Sequence, residues 1–238
     1  ITTVSPSYAN EIQSPTFGER LDGLLRCRSK DLTGILNGID NTLYDPETDL
    51  ALSLRYSYRE LSGKQVCKQD LQKYLGLEQS ENAPLIGMVT RLAHQKGLDL
   101  LEGAADELMR TGVQLAVLGS GEPHYEEALR RLAWRYEGRF ACYLGYDEPL
   151  SRRIYAGADI FLMPSRFEPC GLSQLIAMRY GAIPLVHETG GLRDTVRPYN
   201  QFTDEGNGFS FSNYSAHGML YVLNFALQCF SDKPLWER

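Results

Sequence analysis

The chain has 238 residues, 43% of them hydrophobic and 23% charged, with a formal net charge of −6. That length suits one α/β domain with a full core or two small ones, and the acidic balance speaks against a nucleic-acid binder, which needs a cationic face for phosphates. No apolar run approaches the length that spans a bilayer and no secretory leader is visible, although a start at Ile1 rather than Met reads as a fragment or a processed piece.

Val4-Ser5-Pro6-Ser7 reads as a strand end followed by a helix cap, with proline near the first turn. Residues 32–36 predict a short strand leading into the turn pair Asn37-Gly38, and 44–49 are loop. Residues 64–77 predict an amphipathic helix ending at Gly76, with Val66, Leu71, Tyr74 and Leu75 as its apolar positions. From about residue 84 the pattern turns regular. Continuous apolar runs at 85–90, 114–118, 140–144, 160–163 and 183–186 are how strands buried on both faces of a parallel sheet read. Between them lie helical stretches. Residues 98–110 place Leu98, Leu101, Ala105 and Leu108 on one face, and 124–136 place Ala128, Leu132 and Trp134 near one face. Residues 150–157 and 172–180 continue the series, and a short strand at 209–211 precedes a final helix over 215–230. The alternation predicts an α/β fold with a Rossmann-like, doubly wound parallel sheet and right-handed crossovers.

The five cysteines, Cys27, Cys67, Cys142, Cys170 and Cys229, are odd in number and form no C-x-x-C pair, as reduced cytosolic thiols do. The four histidines show no metal-ligand spacing, so no structural zinc is expected. Two basic runs, Arg20 to Lys30 and Arg130 to Arg139, read as solvated surface or as an electropositive rim near an anionic ligand.

In an open parallel sheet, ligands bind beyond the carboxyl ends of the strands. The loop Thr90 to Gly97 puts Arg91 and Lys96 there, as an anion site at a helix start or as two solvated cations. Gly119-Ser120-Gly121 lacks the third glycine of a dinucleotide fingerprint and reads as a tight turn. Tyr146 either offers a flat face to a base or is a half-buried loop aromatic. The most distinctive loop is Pro164-Ser165-Arg166-Phe167-Glu168-Pro169-Cys170-Gly171-Leu172-Ser173-Gln174, a carboxylate between prolines running straight into a helix. Amides at Gly171, Leu172 and Ser173 would face a phosphate there. Cys170 has no histidine near it in sequence, so thiol catalysis is not expected. Thr189-Gly190-Gly191-Leu192 again sets glycines at a helix start after a strand.

Taken together, these motifs resemble the bacterial-type glycogen/starch synthase family. The resemblance rests on Arg91-x-x-x-Gln95-Lys96-Gly97, on Pro164 through Gln174, and on Thr189-Gly190-Gly191-Leu192-x-Asp194-Thr195-Val196. Val4-Ser5-Pro6-Ser7-Tyr8-Ala9-x-Glu11-Ile12 and Leu36-Asn37-Gly38-Ile39-Asp40 add to it, so it covers nearly the whole chain in the family's order.

The resemblance implies one half of a two-domain GT-B fold, the C-terminal nucleotide-sugar-binding domain. Residues 1–40 would be an inter-domain and first-strand region and 84–212 the motif-bearing sheet. The N-terminal acceptor domain, with its Lys-x-Gly-Gly-Leu loop, would be absent. It implies a retaining transfer of glucose from ADP-glucose to the non-reducing end of an α-1,4-glucan, with this piece inactive alone. Arg91 and Lys96 would neutralise the diphosphate and Glu168 would orient the glucosyl hydroxyls. Gln95, Tyr146, Ser165, Cys170, Gly171, Leu172, Ser173 and Thr189 would line the donor site, with Tyr146 stacking on the base. The implied partners are ADP-glucose or ADP and, through the other domain, the glucan. No metal, no other cofactor, no nucleic acid and no membrane are implied, and the location would be the cytoplasm, or a plastid in a plant-like source. Alternatives are a nucleotide-binding module without catalysis and another GT-B transferase of the sucrose- or trehalose-phosphate-forming kind. A glycosidase would need two opposed carboxylates, and only Glu168 stands out.

Overall fold

The computed structural model describes residues 1–237. Near the start, β1 (Thr2–Thr3) and β2 (Thr33–Gly34) form a small parallel pair of their own. Between them run α1 (Pro6–Glu11) and α2 (Asp22–Cys27). Ser5 caps α1 by accepting the Tyr8 N–H, with Pro6 in the first turn, as the sequence predicts. The predicted strand at 32–36 shortens to two residues, and it pairs with β1 rather than with the main sheet.

After a long loop comes α3 (Ser62–Leu75), closed by Gly76 at φ 70°. Its inward face differs from the prediction. Val66 and Tyr74 are exposed, while Cys67, Lys68, Leu71 and Gln72 are buried. Two polar residues are accommodated because each is fully partnered. Lys68 Nζ lies 2.7 Å from Asp159 Oδ2, which also accepts the Leu85 N–H at 2.7 Å. Gln72 Nε2 donates to Gln114 Oε1 and the Ser80 carbonyl, each at 2.7 Å. A buried charge is tolerable only when paired in this way.

The main sheet has six parallel strands: β3 (Leu85–Val89), β4 (Gln114–Gly119), β5 (Phe140–Leu144), β6 (Ile160–Met163), β7 (Ile183–His187) and β8 (Phe209–Phe211). Their spatial order is β5-β4-β3-β6-β7-β8, with Leu85 opposite Gln114 and Ile86 opposite Ile160. The crossovers are α4 (Leu98–Arg110), α5 (Pro123–Arg135), α6 (Glu148–Gly157), α7 (Ser173–Arg179) and α8 (Gly190–Thr195). Two helices end the chain, α9 (Ala216–Ser231) and α10 (Lys233–Trp236). Helix α6 starts two residues earlier than predicted because Asp147 caps it by accepting the Leu150 N–H.

Each face of the sheet buries its own core. One unites Ile86 and Met88 with Leu101 and Leu108 of α4, Leu129 of α5 and Leu223 of α9. The other unites Leu85 and Phe161 with Leu71, Ile154 and Ala177 of α3, α6 and α7. This two-sided burial is why the strands read as continuous apolar runs. At Gly87 a side chain would meet Ile154 Cγ2 at 2.7 Å, so glycine lets α6 settle on the sheet. On α5 the buried residues are Tyr125, Ala128 and Leu129, and Trp134, expected near that face, is 85% exposed. Six residues beyond Ala128 a helix has turned about 240° past it, onto the solvent side. The basic run on α5 is exposed and ion-paired, for example Arg135 with Asp106 at 2.9 Å. All five cysteines are free. Among the described residues no helix is long and apolar enough to cross a membrane.

Candidate functional site

The chain runs outward from β3 through β4 to β5, then returns to the other flank of β3 to begin β6. That reversal opens a crevice beyond the carboxyl ends of β3 and β6, because their following loops diverge. Residues 90–97 leave β3 and residues 164–172 leave β6. These are the loops the sequence singles out, and the topology makes them neighbours.

They are laced together. The Arg166 N–H donates to the Gln95 carbonyl at 2.8 Å. Gln95 Nε2 donates to the Phe167 carbonyl at 3.2 Å, and Arg91 Nη2 donates to Gln95 Oε1 at 3.4 Å. Lys96 Nζ donates to Glu168 Oε2 at 2.5 Å. Ser165 Oγ donates to the same oxygen at 3.1 Å. Glu168 and Ser165 are buried, so this pairing sits in a poorly solvated setting. Both bonds go to Oε2, and among the described residues Oε1 has no protein partner.

Gly97 makes the approach possible. It stands at φ 75°, and a side chain there would fall 2.1 Å from the Pro164 carbonyl oxygen. Gly119 and Gly121 play the same part on the next loop, where side chains would meet the Thr90 and Leu92 carbonyls at 1.9 and 2.2 Å. The tight turn expected at Gly119-Ser120-Gly121 is not formed: Gly119 ends β4, Gly121 bridges Leu92, and the glycines serve the close approach of the two loops.

At the start of α7, Gly171 is at φ 70°. Among the described residues, the amides of Gly171, Leu172 and Ser173 find no acceptor within the protein. Cys170 is buried, and its carbonyl accepts from Gln174 Nε2 at 3.1 Å, which also reaches the Gly171 carbonyl at 3.0 Å. Gln174 thus props the turn from inside. Thr189, placed by sequence in the donor lining, is buried, with its hydroxyl 3.2 Å from Glu11 Oε1. The Gly190 N–H donates to that same carboxylate at 2.7 Å, and the Gly191 N–H donates to the Glu168 carbonyl at 3.0 Å. So the turn at 189–191 supports the Glu168 loop, and the start of α8 is already served by an anion from α1.

Next to Arg91 a cleft of about 460 Å³ opens between the ends of β3, β4 and β5. Tyr146, 87% exposed, stands at its mouth, and Tyr44, Tyr155 and Ile176 form its floor and walls. Burial pushes the Tyr155 hydroxyl up to about 12, with a hydrogen bond to Ser173 acting the other way. Tyr155 therefore stays a neutral wall at any working pH. The site thus combines two cations, free amides, one buried carboxylate with an open oxygen, and a flat aromatic beside an apolar-lined slot. That set can hold a diphosphate, a polyol and a planar base at once. Among the described residues no group of three His, Cys, Asp or Glu is placed to hold a metal ion.

Three site residues escape the sequence reading. Glu11 lies in a matching motif but carries no role there, since its target is 179 residues away. Tyr44 sits in a stretch without periodicity. His187 ends β7 and in sequence shows only the lack of metal-ligand spacing, yet its Nδ1 lies 2.8 Å from the Ser165 carbonyl.

The family model described as glycosyl transferases group 1 matches residues 76–229, and that described as starch synthase catalytic domain matches residues 1–27. Glycogen synthase of Geobacillus thermodenitrificans (strain NG80-2) is 54% identical over 238 residues, which is all of this chain and 49% of that protein. The glycogen synthase of Geobacillus stearothermophilus is 53% identical over the same length and again covered to 49%. Among solved structures, the catalytic domain of starch synthase IV from Arabidopsis thaliana bound to ADP and acarbose superposes with a TM-score of 0.94. It is 40% identical, and the match covers all of this chain and 50% of that one. Sucrose-phosphate synthase from Thermosynechococcus elongatus, at 20% identity and a TM-score of 0.66, shares the fold over all of this chain and 51% of its own. The chain spans about half the length of the curated relatives it matches.

Proposed function

We propose that this chain, which belongs to the glycosyl transferases group 1 family and within it to the glycogen/starch synthases, holds the activated sugar for glucan elongation. Its six-stranded sheet is one Rossmann-like half of the GT-B arrangement. The donor is ADP-glucose, and its glucosyl group passes with retention to the non-reducing end of an α-1,4-glucan. A relative whose solved structure holds ADP supports that choice of nucleotide. The observation that carries the reading is the contact between Lys96 and Glu168 at the β3–β6 crevice, beside a slot with Tyr146 at its mouth.

In this scheme Arg91 and Lys96 meet the diphosphate where negative charge grows as the bond to glucose breaks. Fixed cations there stabilise the transition state more than the ground state, each donor contributing about 3–4 kcal/mol. The free amides of Gly171, Leu172 and Ser173 cradle the distal phosphate. Glu168 accepts from glucosyl hydroxyls through Oε1, and Tyr146 stacks on the adenine. With two cations in place, the reaction runs without a divalent metal or another cofactor. The second half of a GT-B cleft brings the glucan, so this chain alone binds donor without elongating. The reading puts this chemistry in the cytoplasm, or in a plastid in a plant-like source.

Calorimetric titration of the chain with ADP, ADP-glucose and UDP-glucose tests the reading. Binding of the two adenine nucleotides, weakened in Lys96→Ala, is the expected result. A folded chain that takes none of the three, or prefers UDP-glucose, overturns it as stated. Turnover by the chain alone would refute the statement that it only binds.

A further inference from the structure

The loop that carries Glu168 is held from beneath by His187, and we propose that His187 is a positioning residue for that carboxylate. This rests on the reading of Glu168 as the group that orients the glucosyl hydroxyls. His187 is buried at the end of β7, with Nδ1 2.8 Å from the Ser165 carbonyl oxygen. A carbonyl can only accept, so Nδ1 carries the proton and the tautomer is fixed. The ring has little freedom. It packs against Phe211 with centroids 5.3 Å apart and meets Tyr214 edge-on at 5.2 Å. Tyr214 is itself tied down by a hydrogen bond from its hydroxyl to Asp99 Oδ1 at 2.8 Å.

Ser165 passes this constraint on. The residue whose carbonyl His187 fixes is the one whose Oγ donates to Glu168 Oε2 at 3.1 Å, and it is 2% exposed. Lys96 holds the same oxygen, but through a flexible four-carbon stem. The Ser165 hydroxyl, on a short side chain and a pinned peptide, supplies the direction that Lys96 cannot. When Lys96 turns to the diphosphate, the Ser165 hydroxyl still holds Oε2, and Oε1 is left in one orientation for a hydroxyl of the bound sugar. Loss of the His187 donor leaves the 165–166 peptide held from its other side by the Arg166 N–H to the Gln95 carbonyl, and the Ser165 hydroxyl loses one of the two points that fix its direction toward Glu168.

The test uses the whole 238-residue chain. His187→Phe keeps a ring against Phe211 and Tyr214 but has no donor. His187→Asn places an amide N–H close to where Nδ1–H stands, and His187→Gln places it about one bond further out. Two readouts are taken: calorimetric binding of ADP and of ADP-glucose, and the ¹³C resonance of the Glu168 carboxyl in the ligand-free chain. His187→Phe should weaken ADP-glucose about tenfold and ADP less than twofold, and shift the Glu168 resonance. His187→Asn should restore both, and His187→Gln neither. Equal weakening of the two nucleotides, an unmoved Glu168 resonance, or equal behaviour of Asn and Gln would overturn the proposal. If His187→Phe fails to fold, the Asn–Gln pair still decides. If the unsubstituted chain takes no ADP-glucose, the donor reading fails while the Glu168 resonance still reports on His187.

Discussion

Lys96 and Glu168 stand 72 residues apart in the chain, and Nζ lies 2.5 Å from Oε2. Each neutralises the other. A diphosphate in the crevice competes with Glu168 for the lysine. Removing the competitor should therefore help the nucleotide and harm the sugar. Glu168→Gln is predicted to tighten ADP severalfold while cancelling any extra affinity of ADP-glucose over ADP. Lys96→Ala should weaken both by about ten- to a hundredfold, since a hydrogen bond to a charged group contributes about 1.5–3 kcal/mol. Titration calorimetry reads both variants. Glu168→Gln weakening ADP as much as Lys96→Ala would show that the pair does not compete for the phosphate.

Tyr146 offers a separate handle, because at 87% exposure it contributes little to folding. Base–aromatic stacking is worth about 1–3 kcal/mol by alanine substitution. Tyr146→Ala should thus weaken ADP by about five- to a hundredfold with an unchanged melting temperature. Trp134→Ala, an equally exposed ring on α5 far from the crevice loops in sequence, is the control and should leave ADP binding as it was. Equal losses in the two variants would remove Tyr146 from the site.

The close passage of the two crevice loops predicts a steep cost at Gly97. A methyl there meets the Pro164 carbonyl oxygen at 2.1 Å, and the backbone is already left-handed at φ 75°. Gly97→Ala combines a backbone clash with αL strain and should destabilise by more than about 3 kcal/mol. Gly112→Ala, also left-handed at φ 82° but with nothing within 4 Å, should cost only the αL strain, about 1–2 kcal/mol. Urea unfolding of the two variants measures the difference, and equal midpoints would show that the loops do not meet so closely.

Lys64 predicts a pH dependence. Its ammonium donates to the carbonyls of Ala156, Ala158 and Tyr180 at 2.9, 2.8 and 3.1 Å, and burial pushes it down to about 8. Between that value and the ordinary lysine range, the unfolded chain keeps a proton the folded chain has released, so this group adds stability as pH rises. The contribution is absent below about pH 8 and grows toward pH 10. Cys142 and Cys229, whose thiols burial pushes up, act in the opposite direction over the same range. The readout is therefore the difference from Lys64→Met. From pH 7.5 to 9.5 the unsubstituted chain should gain about 1–2 kcal/mol on the variant. A difference that stays flat or shrinks would refute it.

The sheet was legible in the sequence because its strands are buried on both faces, and burial of that kind leaves continuous apolar runs such as Ile160–Met163. The crevice loops were legible too, since Arg91, Lys96 and Glu168 are unusual residues at strand ends. What the sequence concealed are partners distant in the chain. Lys68 and Gln72 face inward only because Asp159 and Gln114 wait there. Trp134 looked like core because it is apolar, but helix phase puts it outside. His187 shows its purpose only when β7 lies beside β6 and brings Ser165 within reach. Tyr44 reaches the cleft because Arg179 Nη2 clasps Asp45 at 3.1 Å, a contact no local pattern encodes.

Helices α1 and α8 cap each other. Glu11 accepts from the Gly190 N–H at 2.7 Å, and Asp194 accepts from the Ser7 N–H at 2.9 Å. Two short helices from opposite ends of the sequence therefore behave as one rigid clasp. A pull on the first residues of the chain would pass through the β1–β2 pair and this clasp to Gly190 and Gly191, where the peptide rests against the carbonyl of Glu168, before it reached any strand of the large sheet. The amino end of the chain is thus tied, through this clasp, to the loop that carries Glu168.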